Sequence, residues 1–364
     1  MFSALFRDRW LVFLFFISVL LRLFSLNEFW VEQYYTFGFY PVVSRALRSL
    51  FGWVPFSIGD ILYIVGFVWL VWKTWKLLIL LKRKRAREYL SWMLFRKYLK
   101  LSLLIYLVFS LFWGLNYFRR GITLQLNLPV REYGVQDLFS LTILLQQRLN
   151  GYAENIDSVE RLRYNESRFV FSKGTGAYRA AQPSLPFLQY KNASIKPSLF
   201  TPFGHFFGFT GYYNPFTAEA QLKSNIPVFL KPFVVTHEIA HQVGYAKENE
   251  ASFVAWLTCK ASGDVYFLYS AYFEMYRDAL FACRLTPNKD LTEQIQKNIH
   301  PRVRQDYIEL QQYLLRSKNF VEPFMSSMYD RFLKLNNQPK GKATYNEVIA
   351  YVLAYFKKYG PSAI

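Results

Sequence analysis

His237, Glu238 and His241 stand in the order His-Glu-x-x-His within the stretch "VVTHEIAHQVGYAKENEASF", Val234 to Phe253. On a helix, residues i and i+4 share a face, so both imidazoles can reach one ion. Glu238 then sits beside them, placed to address a water at an open coordination position. The chain has only four histidines, and two of them fall in this motif. The flanks read as a helix: Pro232 suits a first turn, the apolar Phe233, Val234, Val235, Ile239 and Ala240 follow, and Gly244 is a natural stop. The expected cofactor is a zinc ion, Zn2+, which would lower the pKa of a bound water to about 7 with Glu238 as base. The chemistry that follows is attack on a peptide or other amide carbonyl.

The third ligand decides the class. The metzincin continuation His-Glu-x-x-His-x-x-Gly-x-x-His holds through Gly244 but then meets Lys247, and a protonated lysine cannot bind a cation. A glutamate from a following helix, as in gluzincins, is the alternative, and "ENEASFVAWLTCKASG" supplies two. Glu250 shares a helical face with the apolar Phe253, Val254 and Leu257, whereas Glu248 points with Ala251, Ser252 and Ala255. Glu250 is therefore the expected ligand and Glu248 the fallback. Upstream, "GHFFGFTGYYNPFTAEAQL" offers Ala218 to Leu222 as an edge strand for an extended substrate. His205, Tyr212 and Tyr213 are candidate donors to an oxyanion, and His205 and Tyr213 join Glu238 as catalytic candidates. Each of them alone is more often a packed aromatic or a structural histidine. His300, before Pro301, reads as a surface or capping residue. Two cysteines, Cys259 and Cys283, exclude a thiolate zinc site and leave a single disulfide or two buried thiols open.

What must position this motif is an unusual chain. Its 364 residues are 52% hydrophobic and 20% aromatic, yet carry a formal net charge of +19. The charge clusters beside apolar runs, which points to membrane lipid as a partner and away from nucleic acid. Three apolar segments, about 10–25, 56–80 and 99–117, are expected to be transmembrane helices, with residues 1–118 as a membrane region. Between the last two lie Lys82, Arg83, Lys84, Arg85, Arg87, Arg96, Lys97 and Lys100. Short basic loops stay in the cytoplasm, so the segment after the third span should emerge outside. No small-x-small cleavage site follows the first segment, which reads as an uncleaved span.

Residues 119–364 have the mixed charge and polar turns of a single globular domain. Helical spacing marks Leu138 to Leu149, Pro301 to Leu315 and Tyr345 to Phe356, while "SRFVFSKGTGAYRAAQPSLPF" reads as strands and loops. The fold class expected is α+β, a zincin-like metallopeptidase domain C-terminal to a three-helix transmembrane region.

The linked segments "GFTGYYNPFTAEAQ", "PFVVTHEIAHQVGYAKENEASF", "FLYSAY" and "YDRFLKLNNQPKGKATYNEVI" resemble an uncharacterised family of bacterial membrane proteins, catalogued as a domain of unknown function. The resemblance implies three N-terminal spans, a gluzincin-like domain outside the cytoplasm, and zinc at His237, His241 and Glu250 with Glu238 as base. It implies no substrate. Similar sequences commonly have Gly-Glu-Ala where this chain has Ala218-Glu219-Ala220. The expected protein is a zinc metallopeptidase anchored in the bacterial inner membrane, multi-pass, acting on a peptide or amide of the envelope. The rival readings are a zinc-containing sensor or transducer, and a structural envelope protein in which the metal only holds the fold.

Overall fold

The computed structural model describes residues 8–83, 92–341 and 347–364, with the side chains of His205 and Phe207 outside that description. Lys84, Arg85 and Arg87 of the basic segment also fall outside it. The first helix, α1 (Arg9–Ser25), opens where Asp8 accepts a hydrogen bond from Leu11 N at 3.2 Å. After a 97° bend the chain continues as one helical run, Glu28–Phe51. Its middle, Val31–Phe39, is wound as a π-helix, and its last part is α2 (Tyr40–Phe51). Helix α3 (Ile58–Lys82) and helix α4 (Trp92–Phe112) complete this region.

Three spans were expected; among the described residues one helix, α3, is long and apolar enough to cross a membrane, or two if the bent pair counts as one span. The reasons are local. Helix α1 has 17 residues, short of the roughly 20 that a bilayer core requires. Helix α4 carries Arg96, Lys97 and Lys100 in its first half and stops at Phe112, where Gly114–Phe118 tightens into a 3-10 turn. Helix α3 has 25 residues, and its span-length apolar stretch is unburied by the rest of the chain.

Helix α3 starts on protein. The buried Glu219 carboxylate accepts hydrogen bonds from Gly59 N at 2.7 Å, Ile58 N at 3.2 Å and Ser57 Oγ at 3.3 Å. A carboxylate at a helix N-terminus satisfies orphan donors and complements the dipole. Asp60, one turn in, accepts from Tyr212 Oη at 2.5 Å and Leu199 N at 2.8 Å. Substituting Glu219→Ala strands those donors, and we expect a loss of about 2–3 kcal/mol in stability, read as a lower thermal midpoint of the purified chain in detergent.

From there the chain is mostly helical. Helices α5 (Val135–Glu154), α6 (Ser167–Ala181), α7 (Lys231–Gln242), α8 (Glu248–Ala261), α9 (Val265–Arg284), α10 (Pro301–Arg316), α11 (Glu322–Leu335) and α12 (Val348–Tyr359) surround one small mixed sheet. Strands β1 (Ile195–Pro197), β2 (Gly211–Asn214) and β3 (Glu219–Leu222) run in the order β1-β3-β2, with β3 parallel to β1 and antiparallel to β2. The substrate-side strand expected at Ala218 to Leu222 is thus the central, fully buried strand, and β2 is at the edge. Ala218 turns the chain into β3 at φ +54°, a region that favours glycine. The glycine of similar sequences fits that geometry.

Helix α6 replaces the strands and loops expected around Gly174. A Cβ there would stand 2.5 Å from Val235 Cγ1 on α7, so the glycine serves close helix approach rather than a turn. Cys259 and Cys283 are free and buried, near Thr236 Oγ1 at 3.2 Å and Thr142 Oγ1 at 3.3 Å. His300 caps α10, its ring accepting from Arg302 N at 3.2 Å.

Candidate metal centre

Helix α7 begins with Pro232 in its first turn and ends before Gly244, whose φ of +97° only glycine adopts readily. The short Gly244–Lys247 turn then reverses the chain into α8, so the first turn of α8 lies beside the last turns of α7. This places Glu248 at the motif. Its Oε2 stands 3.2 Å from His237 Nε2 and 3.5 Å from His241 Nε2. Donors around a tetrahedral zinc, at bond lengths near 2.0–2.1 Å, are separated by about 3.3 Å, which those distances match. One ligand atom from each of the three residues lies within 4.8 Å of the others, and all three side chains are buried.

The third ligand position therefore belongs to Glu248, a correction of the expected Glu250. The expectation assumed that the apolar face of α8 meets α7. In fact every residue from Glu248 to Cys259 is buried, so apolarity does not distinguish the faces. The face turned to α7 is the one of small residues, Ala251, Ser252 and Ala255, because they let the helices approach closely. Ser252, one turn after Glu248, reaches His237 Nδ1 at 3.3 Å. Glu250 points elsewhere: its Oε1 is 3.7 Å from Lys247 Nζ, and a Cβ on Gly121 would come within 2.2 Å of it.

Neighbouring groups orient the three side chains. His241 Nδ1 lies 2.7 Å from the carbonyl of Tyr245, which can only accept, so the neutral ring keeps its lone pair on Nε2. Ser252 meets Nδ1 of His237 and likewise leaves Nε2 toward Glu248. Tyr329 of α11 donates to Glu248 Oε1 at 2.6 Å, turning Oε2 toward the histidines. Each His thus presents Nε2, and the carboxylate one oxygen, to a single point.

Burial opposes charge on His241, but the surrounding Glu248, Glu238 and Tyr245 carbonyl outweigh it and push its pKa up to about 9. Burial also opposes ionisation of Glu248, and the two histidines overcome it, holding the carboxyl well below its ordinary range. Burial lowers His237, against the opposing pull of Glu248.

Glu238 differs from these. Burial pushes its carboxyl up to about 8, with His241 pulling the other way. Among the described residues its Oε2 has no hydrogen-bond partner, while Oε1 lies where a Cβ on Gly211 of β2 would come within 2.6 Å. This buried oxygen lies beside the His237, His241 and Glu248 cluster and close to edge strand β2.

The other candidates separate. Tyr213 packs its ring on Trp113 at 5.1 Å, and its hydroxyl is 3.4 Å from that of Tyr40, at the C-terminal end of α7. Tyr212, on the opposite face of β2, is drawn to Asp60 and Ser198 and away from the cluster. His205 belongs to a short helix, Gly204–Phe207, that packs on α11; its side chain lies outside the described residues.

Sequence reasoning missed the groups that hold the end of α7. Tyr40, Ser44 and Arg48 of α2 all donate to the carbonyl of Gln242, at 2.9, 3.1 and 3.0 Å. Trp113 Nε1 donates to His241 O at 3.2 Å and Arg119 to Gly244 O at 3.0 Å. The two guanidinium groups sit where the helix dipole is negative. Trp113 also stands edge-on to the His241 ring, 5.9 Å between centroids. The metal helix is thereby fixed by residues that lie next to, or within, the apolar N-terminal region.

Comparison with curated proteins and with solved structures returns no significant match. A mostly helical fold with a small mixed sheet and a His-Glu-x-x-His helix completed by Glu248 is consistent with a zincin-like domain. A family described as "Protein of unknown function (DUF3810)" matches residues 35–353, which takes in α2, α3, the sheet and the whole His237, His241 and Glu248 cluster, and the chain belongs to that family.

Proposed function

We propose that the protein is a membrane-anchored, zinc-dependent hydrolase of the gluzincin type, cleaving a peptide or amide bond in the cell envelope. The observation that carries this reading is the buried oxygen of Glu238, unpartnered among the described residues, beside the converging Nε2 atoms of His237 and His241 and Oε2 of Glu248. A dication bound there supplies Lewis-acid polarisation of a carbonyl and an acidified water. Glu238 takes a proton at Oε2 and returns it to the leaving nitrogen, its pKa already raised by burial toward the working range of a base. Edge strand β2, with Gly211 against Glu238, is where an extended substrate could add a strand. Tyr213 and His205 remain candidates for oxyanion donors. The basic segment Lys82 to Lys100 supports a cytoplasmic loop after α3 and a metal site on the other side.

The test uses the full chain purified in detergent. Elemental analysis should find about one zinc per chain, and pooled fluorogenic peptides should be cleaved. A chelator should abolish cleavage and added zinc restore it. Absence of bound metal, or hydrolysis indifferent to the chelator, would sink the reading. The convergence of Tyr40, Ser44, Arg48, Trp113 and Arg119 on the end of α7 favours a second reading, in which the N-terminal region transmits a change to the metal helix.

A further inference from the structure

Helix α11 carries a stripe of large apolar side chains turned away from the protein. Phe324 is 65% exposed, Met328 52% and Leu335 81%, and Phe320 just before the helix is 90% exposed. At about 100° per residue, Phe324, Met328 and Leu335 share one line along the helix. Phe332 borders that line on one side and packs on Phe109 and Tyr117, with ring centroids 6.1 and 6.2 Å away. Ser327, Arg331 and Lys334 border it on the other. The remaining side faces the protein, where Leu333 is buried and Tyr329 donates to Glu248 Oε1.

What covers the stripe follows from its neighbours. Phe109 lies in the last turn of α4, and Leu104 and Ile105 below it on that helix are exposed, as is the apolar length of α3. The stripe thus continues an apolar surface that belongs to the helices of the membrane region, at the end of α4 remote from its basic start. Five basic residues against two acidic ones lie between Arg316 and Lys340, a balance suited to anionic headgroups. Apolar stripe, basic border and an adjoining bilayer-length helix are together the pattern of an interfacial helix.

We propose that α11 lies in the headgroup layer of the bilayer that α3 crosses, with Phe324, Met328 and Leu335 in lipid, and that through Tyr329 it holds the metal-site carboxylate Glu248 at the membrane surface. This rests on reading α3 as a membrane span. It does not require that the site be catalytic. Under the hydrolase reading, the consequence is that a substrate reaches the cluster along the lipid surface and is cleaved close to the membrane.

The experiment measures depth by spin labelling of the full chain in vesicles of phosphatidylcholine with phosphatidylglycerol. Cys259 and Cys283 are buried, so a nitroxide reagent reports single introduced thiols. Labels are placed by Phe324→Cys, Leu335→Cys and Ser327→Cys, with Val68→Cys in α3 as the reference for lipid. The ratio of collisions with oxygen to collisions with an aqueous nickel chelate should be at least about threefold higher for the Phe324 and Leu335 substitutions than for Ser327. If both match Ser327 while the Val68 label is in lipid, the stripe faces water or a protein partner and the proposal is overturned. If the Val68 label is also aqueous, the membrane reading fails and takes the proposal with it.

Discussion

Glu238→Gln should leave zinc content and thermal stability unchanged while lowering hydrolysis by roughly 100-fold or more. The geometry separates these readouts. Glu238 makes none of the contacts that converge on the cluster, since those come from His237, His241 and Glu248. Among the described residues its buried Oε2 has no partner, so a neutral amide of the same shape breaks no hydrogen bond of that oxygen there and relieves some desolvation. Only the capacity to take up a proton is lost. His237→Ala is the contrasting variant: it removes a ligand and leaves Glu248 facing a cavity, so metal and stability both fall. Full activity in Glu238→Gln beside loss of activity in His237→Ala would assign the metal to holding the fold. The sensor reading would be favoured if Glu238→Gln preserved function in cells and Arg48→Ala, which loosens the end of α7, abolished it.

Much of the site was legible because its signals are local. The motif spacing, Pro232 at the start of α7 and Gly244 at its end all act within one or two turns, and the structure has them where the pattern requires. Local reading failed where a residue's role is set by a partner distant in sequence. Gly174 has the composition of a turn, but its lack of a side chain serves the contact with Val235. Glu219 looked like part of an edge strand, and its partners at Ser57, Ile58 and Gly59 are about 160 positions away. The donors to the end of α7 come from Tyr40, Ser44, Arg48, Trp113 and Arg119, more than 120 positions before the carbonyls that they reach. No periodicity encodes such pairs. The membrane region was overread for a different reason: apolar content alone does not reveal that α1 bends sharply after 17 residues or that α4 places three cations in its first half.

Glu248 was misassigned for a reason that can be turned into a measurement. In a helix buried on all sides the apolar face carries no information, whereas small residues mark the side on which a neighbouring helix approaches. Ala251, Ser252 and Ala255 lie on the side of Glu248, and Phe253, Val254 and Leu257 on that of Glu250. Glu248→Ala should therefore weaken zinc binding by about 100-fold or more, as loss of a charged ligand does. Glu250→Ala should leave zinc content near that of the parent chain, although removing a buried carboxylate beside Lys247 and Gly121 will alter stability. Tyr329→Phe belongs in the same series. It removes the hydrogen bond to Glu248 Oε1 and should weaken binding by about 10-fold, the scale on which outer partners act. Zinc content after dialysis against a graded chelator orders the three variants. If Glu250→Ala loses the metal and Glu248→Ala keeps it, then α8 is turned by about two residues from the arrangement described, and the contact of Ser252 with His237 must be absent as well. Both follow from one rotation, so Ser252→Ala, harmless to zinc in that case and weakening in the other, decides between them.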